Sequence, residues 1–222
     1  PDLDQFMAGE ELIGSFQVED LKPETLLFQA GYLTIRGKQQ IGVKNMYSLG
    51  FPNLEVKSSF SQLMLGTYTG SANQSRNQER IDAMVKMGDT NGMRDVFHSF
   101  FASIPHDWYR KNQISGCEGY YASIVYAYFS SLGYMVIPED TTNRGRIDLT
   151  VQTPTGIWIF EFKVMGIDGS GEKSPLAQIR DRKYAEKYAC ESKKIYEIGI
   201  VFNPETRNIE RWEVGIKESA DE

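Results

Sequence analysis

Asp148, Glu161 and Lys163 are the residues of this chain whose types and spacing carry the most chemistry. The stretch Arg146-Ile-Asp-Leu-Thr-Val151 reads as a strand with apolar residues at alternate positions. A carboxylate inside it needs a partner to offset its lost hydration. Glu161 and Lys163 are separated by one residue in Ile157-Trp-Ile-Phe-Glu-Phe-Lys163, so on a strand both side chains point to the same face. The turn Pro154-Thr-Gly156 folds the two strands into a hairpin, which brings Asp148 beside Glu161. Two carboxylates on neighbouring strands suit a hard divalent ion such as Mg²⁺ or Mn²⁺, which takes oxygen ligands and keeps several waters. A lysine beside them can orient a water or stabilise developing charge, and together these groups meet the demands of phosphodiester hydrolysis. Glu118, opening the preceding helix, and Gln178, in the first turns of the following one, are placed to complete the set.

The elements that position these residues lie in 113–222. Glu118 to Leu132 reads as a helix, with Tyr121, Ile124, Val125, Tyr128, Phe129 and Leu132 on one stripe and Gly133 as its stop. Strands follow at Tyr134–Ile137, Arg146–Val151 and Ile157–Lys163. After a glycine-rich loop, Gly166 to Gly171, a helix is expected over Pro175–Cys190. A last strand is expected over Ile195–Phe202, nearly continuous in apolar character apart from Glu197, which suits a central position. The order α-β-β-β-α-β predicts an α/β sandwich around a mixed sheet.

Two further regions precede it. Residues 1–53 contain a short helix, Pro23 to Ala30 with Gly31 as its stop, then the strand Tyr32–Arg36. Met46–Gly50 pairs back with that strand across a polar, glycine-containing loop. Residues 54–112 read as helical. Val56, Phe60, Leu63 and Met64 share one face, and Met93, Val96, Phe97, Phe100 and Phe101 form a single buried stripe. Thr69 to Gln78, rich in Ser, Asn and Gln, reads as a loop between helices.

Composition bounds the function classes. The chain has 222 residues, 41% hydrophobic and 24% charged, the balance of an ordinary globular protein. No run reaches the eighteen or so apolar residues of a membrane helix, and no signal peptide is read, which points to the cytoplasm. Cys117 and Cys190 are too few for a disulfide framework or a zinc site and read as reduced thiols. A net charge of −6 opposes a uniformly basic nucleic-acid binder, but carboxylates that hold metal contribute to it and a local basic face can still receive phosphates. Pro1 in place of Met suggests a piece of something longer.

Ile147-Asp148, twelve intervening residues and Glu161-Phe-Lys163 resemble the PD-(D/E)xK nuclease superfamily, with Ile147 a relaxation of its first position. Five segments also resemble the nuclease domain at the C-terminus of a bacterial family of AAA-ATPase-like proteins. They are Glu118-Gly-Tyr-Tyr-Ala122, Gly145-Arg-Ile-Asp-Leu149, Ile159-Phe-Glu-Phe-Lys163, Ala177-Gln-Ile-Arg180 and Tyr184-Ala-Glu-Lys-Tyr188. Gly31-Tyr-Leu-Thr-Ile35 and Leu49-Gly-Phe-Pro-Asn53 resemble the join between ATPase and nuclease in that family. The resemblance implies a restriction-endonuclease-like core over 113–222, a helical connecting region over 54–112, and a winged-helix-like remnant with its small hairpin over 1–53. It implies Asp148, Glu161, the Phe162 backbone carbonyl and Glu118 as ligands of Mg²⁺ or Mn²⁺, Glu118 either in an outer shell or on a second ion. Lys163 would act on the water, with Gln178 and Tyr184 at the site's edge. DNA is the implied substrate and an upstream ATPase module the implied partner. No Gly-x-x-x-x-Gly-Lys-Ser/Thr loop occurs in this chain, so the motor itself is expected elsewhere.

Blander readings stand beside these. Glu161 and Lys163 could form an ion pair on a solvated strand face, Glu118 could be a helix-start carboxylate favoured by the macrodipole, and Gln178 could be an exposed helix residue. The basic set Lys173, Arg180, Arg182, Lys183, Lys187, Lys193 and Lys194 either meets a phosphate backbone or, interleaved with Glu172, Asp181, Glu186 and Glu191, forms a solvated face. His98 reads as packed beside Phe97, and His106 as a loop residue. Trp108 and Tyr109 read as junction packing or as stacking groups for a base. The competing function is a catalytically silent nuclease fold that binds nucleic acid or a partner protein and regulates an ATPase.

Overall fold

The computed structural model describes residues 6–10, 22–69, 71–105, 116–166 and 174–218. The chain divides into two compact units, Pro1–Phe60 and Ser61–Glu222. The first holds strand β1 (Phe6–Ala8), helix α1 (Pro23–Gln29) and strands β2 (Thr34–Ile41) and β3 (Lys44–Gly50), with β3 central and antiparallel to both neighbours. Pro23 opens α1, where its missing N–H is no loss. The hairpin is tighter than expected. The strands run on to Ile41 and Lys44, and Gly42 at φ +63° makes the turn. Ala8, Leu33, Leu49 and Phe51 form the small core, against which Val56 and Phe60 pack.

Helix α2 (Leu54–Thr69) begins in the first unit and ends in the second; Ser61 and Leu65 are its buried residues, while Leu63 and Met64 are exposed, against the expected stripe. Helix α3 (Ser71–Met87) occupies the stretch expected to be a loop. Its polar side chains find partners there, which removes the objection to a helix. Gln74 Nε2 donates to the Gln62 carbonyl (2.7 Å) and Gln78 Nε2 to Ser131 Oγ (2.6 Å). Helix α4 (Thr90–Ser103) is capped by Asp89, which accepts the Gly92 N–H, and buries the predicted Met93, Val96, Phe97, Phe100 and Phe101. His98 is exposed rather than packed, because it falls outside that stripe. His106, Trp108, Tyr109, Glu172, Lys173 and most of the glycine-rich loop lie outside the described residues.

Helix α5 (Glu118–Ser131) leads into a five-stranded sheet of order β4-β5-β6-β7-β8. Its strands are β4 (Met135–Thr142), β5 (Gly145–Gln152), β6 (Gly156–Val164), β7 (Lys194–Asn203) and β8 (Asn208–Lys217). β6 and β7 are parallel, and the other neighbours are antiparallel. The mixed sheet and the α-β-β-β-α-β order are as the sequence predicts, with two corrections. β8 is a further edge strand, and its charged residues hid it because an edge strand leaves much of its surface in solvent. The helix expected over Pro175–Cys190 stops early: α6 spans Pro175–Asp181, Lys183 turns left-handed at φ +52°, and Tyr184–Tyr188 form a 3₁₀ turn. Burial of Tyr184, Ala185 and Tyr188 against the sheet overrides the helical pattern there.

The two faces of β6 have different neighbours. Trp158, Phe160, Phe162 and Val164 join α4 and α5 in the main core, which also takes in Leu65, Ile81 and Val85. Ile157 and Ile159 face the opposite layer, with Ile179, Tyr184 and Tyr188. Glu161 and Lys163 continue that second row by alternation. No helix among the described residues is long and apolar enough to cross a membrane, and Cys117 and Cys190 are free and exposed.

Candidate active site

The β5–β6 hairpin sets the site. Its register, Leu149 to Phe160 and Thr150 to Ile159, carried one step further places Asp148 across from Glu161. Asp148 Oδ2 accepts the Phe162 N–H at 2.8 Å, so the first carboxylate is tied to the backbone of the second strand. Glu161 is 1% exposed. Its Oε1 accepts hydrogen bonds from Lys163 Nζ (3.2 Å) and Gln178 Nε2, whereas its Oε2 is buried without a hydrogen-bond partner. Lys163 Nζ also donates to the Phe162 carbonyl at 2.9 Å and lies 3.9 Å from Glu118 Oε2. Tyr184 borders the group, its hydroxyl donating to the Arg146 carbonyl at 2.8 Å.

Too little positive charge is buried here for the carboxylates present. Burial pushes Asp148 up to about 6, against the opposing pull of the Phe162 N–H and the Lys163 charge. Burial, and then the Asp148 charge, push Glu161 up to about 8. For Lys163, burial works to lower the ammonium's value, but Glu161, Asp148 and Glu118 together outweigh it and hold it above its usual range. Burial and the charge of Glu161 also raise the Tyr184 phenol.

Of the residues singled out in the sequence, Asp148, Glu161, Lys163 and Gln178 are thus in one cluster. Glu118 meets it at Lys163, adds its charge to those that raise Asp148 and Glu161, and is more exposed, with 38% of its side chain in solvent. Among the described residues, no three His, Cys, Asp or Glu side chains stand close enough together to hold a metal ion. The nearest oxygen set is two carboxylates and a backbone carbonyl.

Three acidic residues near the site were not singled out for it. Glu139 stands across from Asp148 in the β4–β5 register, at φ +53°, ion-paired with Arg146 and near enough to help raise Asp148. It was missed because β4 continues past Ile137, the expected end of that strand. Glu213 on β8 accepts from Ser174 Oγ (2.5 Å) and the Leu176 N–H (3.2 Å), holding the start of α6. Glu197 on β7, 1% exposed, makes no hydrogen bond but stands in ion-pair range of Arg180 (3.5 Å) and Lys217 (3.0 Å), so charge alone ties it to the other end of that helix. The interruption at Glu197 was the available signal for its role. Gly199 lets α6 come close, since a Cβ there would stand 2.6 Å from the Leu176 nitrogen. Gln178 is therefore delivered to Glu161 by a helix clamped at both ends.

The basic residues of the second layer are largely engaged. Arg180 pairs with Glu197, Lys187 with Asp140, Lys183 with Glu186, Lys193 with Glu191 and Lys194 with Glu218, and Arg182 donates to the Arg144 carbonyl at 3.1 Å.

Residues 116–212 match the model of the PD-(D/E)XK nuclease superfamily. The chain is also similar to an uncharacterized protein in the vnfD 5′ region of Azotobacter chroococcum mcd 1. The two are 42% identical over 210 residues, which cover 94% of this chain and 40% of that protein. The chain therefore spans less than half the length of this relative. No solved structure matches it.

Proposed function

We propose that the chain, through its nuclease-superfamily segment, is a metal-dependent nuclease that hydrolyses phosphodiester bonds of DNA. The observation that carries this reading is Glu161 Oε2, a buried carboxylate oxygen without a hydrogen-bond partner, on a side chain set across a hairpin from Asp148. Such an atom has lost its hydration and gained nothing in return, a cost that a cation offsets. The all-oxygen donor set fits a hard divalent ion, Mg²⁺ or Mn²⁺. Asp148, Glu161 and the Phe162 carbonyl would hold it, with Glu118 in the outer shell behind Lys163. Bound there, such an ion would neutralise phosphate charge and acidify a water.

The chain's own groups do the rest. Lys163, kept charged by three carboxylates, is a donor for the attacking water or the phosphate oxygen. Gln178 fixes the orientation of Glu161, and Tyr184 closes the edge beside it. From the resemblance of residues 31–35 and 49–53 to the join between ATPase and nuclease, we assign 1–53 to a winged-helix-like element and propose an ATPase module as the partner of this chain.

A silent, binding-only nuclease fold is favoured by one observation, the lack of a three-ligand acidic group among the described residues. Cleavage of supercoiled plasmid and of a labelled single strand, with Mg²⁺, Mn²⁺ or EDTA, separates the two readings. The nuclease cuts with metal and not with EDTA, and both Asp148→Ala and Lys163→Ala lower cutting by at least about 10²-fold. Absence of cutting, together with no metal binding by calorimetry, selects the silent module.

A further inference from the structure

The cation nearest the proposed metal ligands, Lys163, belongs to the chain itself. Lys163 Nζ donates to the Phe162 carbonyl at 2.9 Å and to Glu161 Oε1 at 3.2 Å, and Glu118 Oε2 lies 3.9 Å away. Its side chain is only 15% exposed, so the ammonium is part of a built site and does not sweep through solvent. The acceptors it takes include one, the Phe162 carbonyl, that belongs to the ligand set proposed above for a divalent ion at Asp148 and Glu161. The acceptor it leaves free, Glu161 Oε2, is the one without a hydrogen-bond partner. A carbonyl oxygen can serve an ammonium and a metal ion together only if the two cations stand side by side, where they repel.

We propose that Lys163 is an internal counter-ion of this site, and that a divalent ion binds by exchange, displacing the ammonium from the Phe162 carbonyl and Glu161 Oε1. This rests on the metal-dependent reading above. The displaced ammonium keeps Glu118 as its nearby carboxylate, so Glu118 receives the lysine as the metal arrives. In that role Glu118 is a positioning residue, consistent with its place on the outer side of Lys163. Gln178 stays on Glu161 Oε1 throughout, so the carboxylate does not rotate when the ammonium leaves. The exchange sets metal affinity: the site holds its carboxylates together without a metal, at the expense of weaker binding when one is offered.

The test is calorimetric titration of the full chain with Mg²⁺ and with Mn²⁺, comparing wild type, Lys163→Met and Lys163→Gln, with Asp148→Asn as the control that removes a ligand. Exchange predicts binding roughly tenfold tighter in both lysine variants, equivalent to about 1.4 kcal/mol. The glutamine variant covers the case in which methionine leaves the strand end misfolded. Simple repulsion would also tighten binding, so a second measurement follows the Lys163 ammonium by ¹⁵N NMR during Mg²⁺ addition. Exchange moves that resonance in step with occupancy, and the Glu118→Gln variant alters its end point. Equal or weaker metal binding in the lysine variants overturns the proposal, as does tighter binding with a stationary ammonium signal. Failure of wild type and lysine variants alike to bind either metal overturns the metal-dependent reading itself.

Discussion

Two carboxylates of the second unit, Asp140 and Glu161, are buried to nearly the same degree, at 4% and 1% exposure, and are treated in opposite ways. Asp140 Oδ2 accepts from Thr150 Oγ1 (2.9 Å) and the Tyr188 hydroxyl (2.5 Å), while Oδ1 meets the Lys187 ammonium. Both of its oxygens are satisfied, and in return it pins the 3₁₀ turn to the sheet. Glu161 has two donors crowded on one oxygen and none on the other. The neighbouring carboxylate, Asp148, makes its ionisation harder still. The contrast separates a carboxylate used to hold structure from one held by structure. A satisfied buried group returns its desolvation cost to the fold, whereas an unsatisfied one leaves that cost available to a ligand.

The largest effect that would break this comparison lies in catalysis. Lys163→Ala or Asp148→Ala should cut metal-dependent cleavage by roughly 10²–10⁴-fold, the range for losing a group that stabilises or transfers charge in the transition state. Asp140→Ala should leave the Asp148–Glu161 hairpin itself in place while destabilising the fold by about 2–4 kcal/mol, through stranded donors on Thr150, Tyr188 and Lys187. Urea unfolding beside the cleavage assay reads both numbers. If Asp140→Ala abolished cleavage at unchanged stability, the division of roles would be wrong.

Glu161→Gln sharpens the same contrast with a smaller effect. Burial and the Asp148 charge raise the folded-state value of Glu161 to about 8, above its ordinary value of 4.5. The native state thus binds the extra proton, and its contribution to stability is full below about 4.5 and is lost as pH rises through 8. In chelator at pH 8, Glu161→Gln should therefore raise Tm, by roughly 2–8 °C for a gain of one to two kcal/mol in a chain this size. At pH 4 the gain should vanish. A variant that melts lower than wild type at pH 8 would mean that Glu161 is a satisfied structural group after all. The smallest change is expected for Gln178→Ala, about tenfold in cleavage rate with little change in stability, because Glu161 keeps Lys163 as a donor. A loss as large as that of Lys163→Ala would make Gln178 more than an orienting group.

How much of this could be read from the chain depended on how local each signal was. Asp148, Glu161 and Lys163 were legible because a hairpin and a period of two fix their relation within a few residues. The α4 and α5 stripes were legible for the same reason, with a period of 3.6. Glu213 and Glu197 were not assigned their roles, because each acts on α6 from a strand that reaches it only through tertiary packing. The α3 helix and the break at Lys183 were misread where long-range contacts to Gln62, Ser131 and the sheet overruled local composition. The unpartnered oxygen of Glu161 lies furthest from sequence reasoning, since it depends on every neighbour's position at once.

The parallel pairing of β6 with β7 has a consequence for the order in which the molecule assembles. The β5–β6 hairpin closes over a three-residue turn, whereas β7 pairs with β6 only after the chain has crossed through α6 and the 3₁₀ turn. Loop-closure entropy favours the short connection first. Asp148 and Glu161 are therefore expected to meet early, while water still covers them, and to lose that water when the crossover docks and brings Gln178 to Glu161. Pulse-labelled hydrogen exchange during refolding should find amides of the β5–β6 hairpin protected before those of β7. Metal ions added at the start should speed the docking step, because they relieve the carboxylates at the moment their water is stripped away. Refolding in chelator and in Mg²⁺ that gave the same rate for β7 protection would count against this order of events.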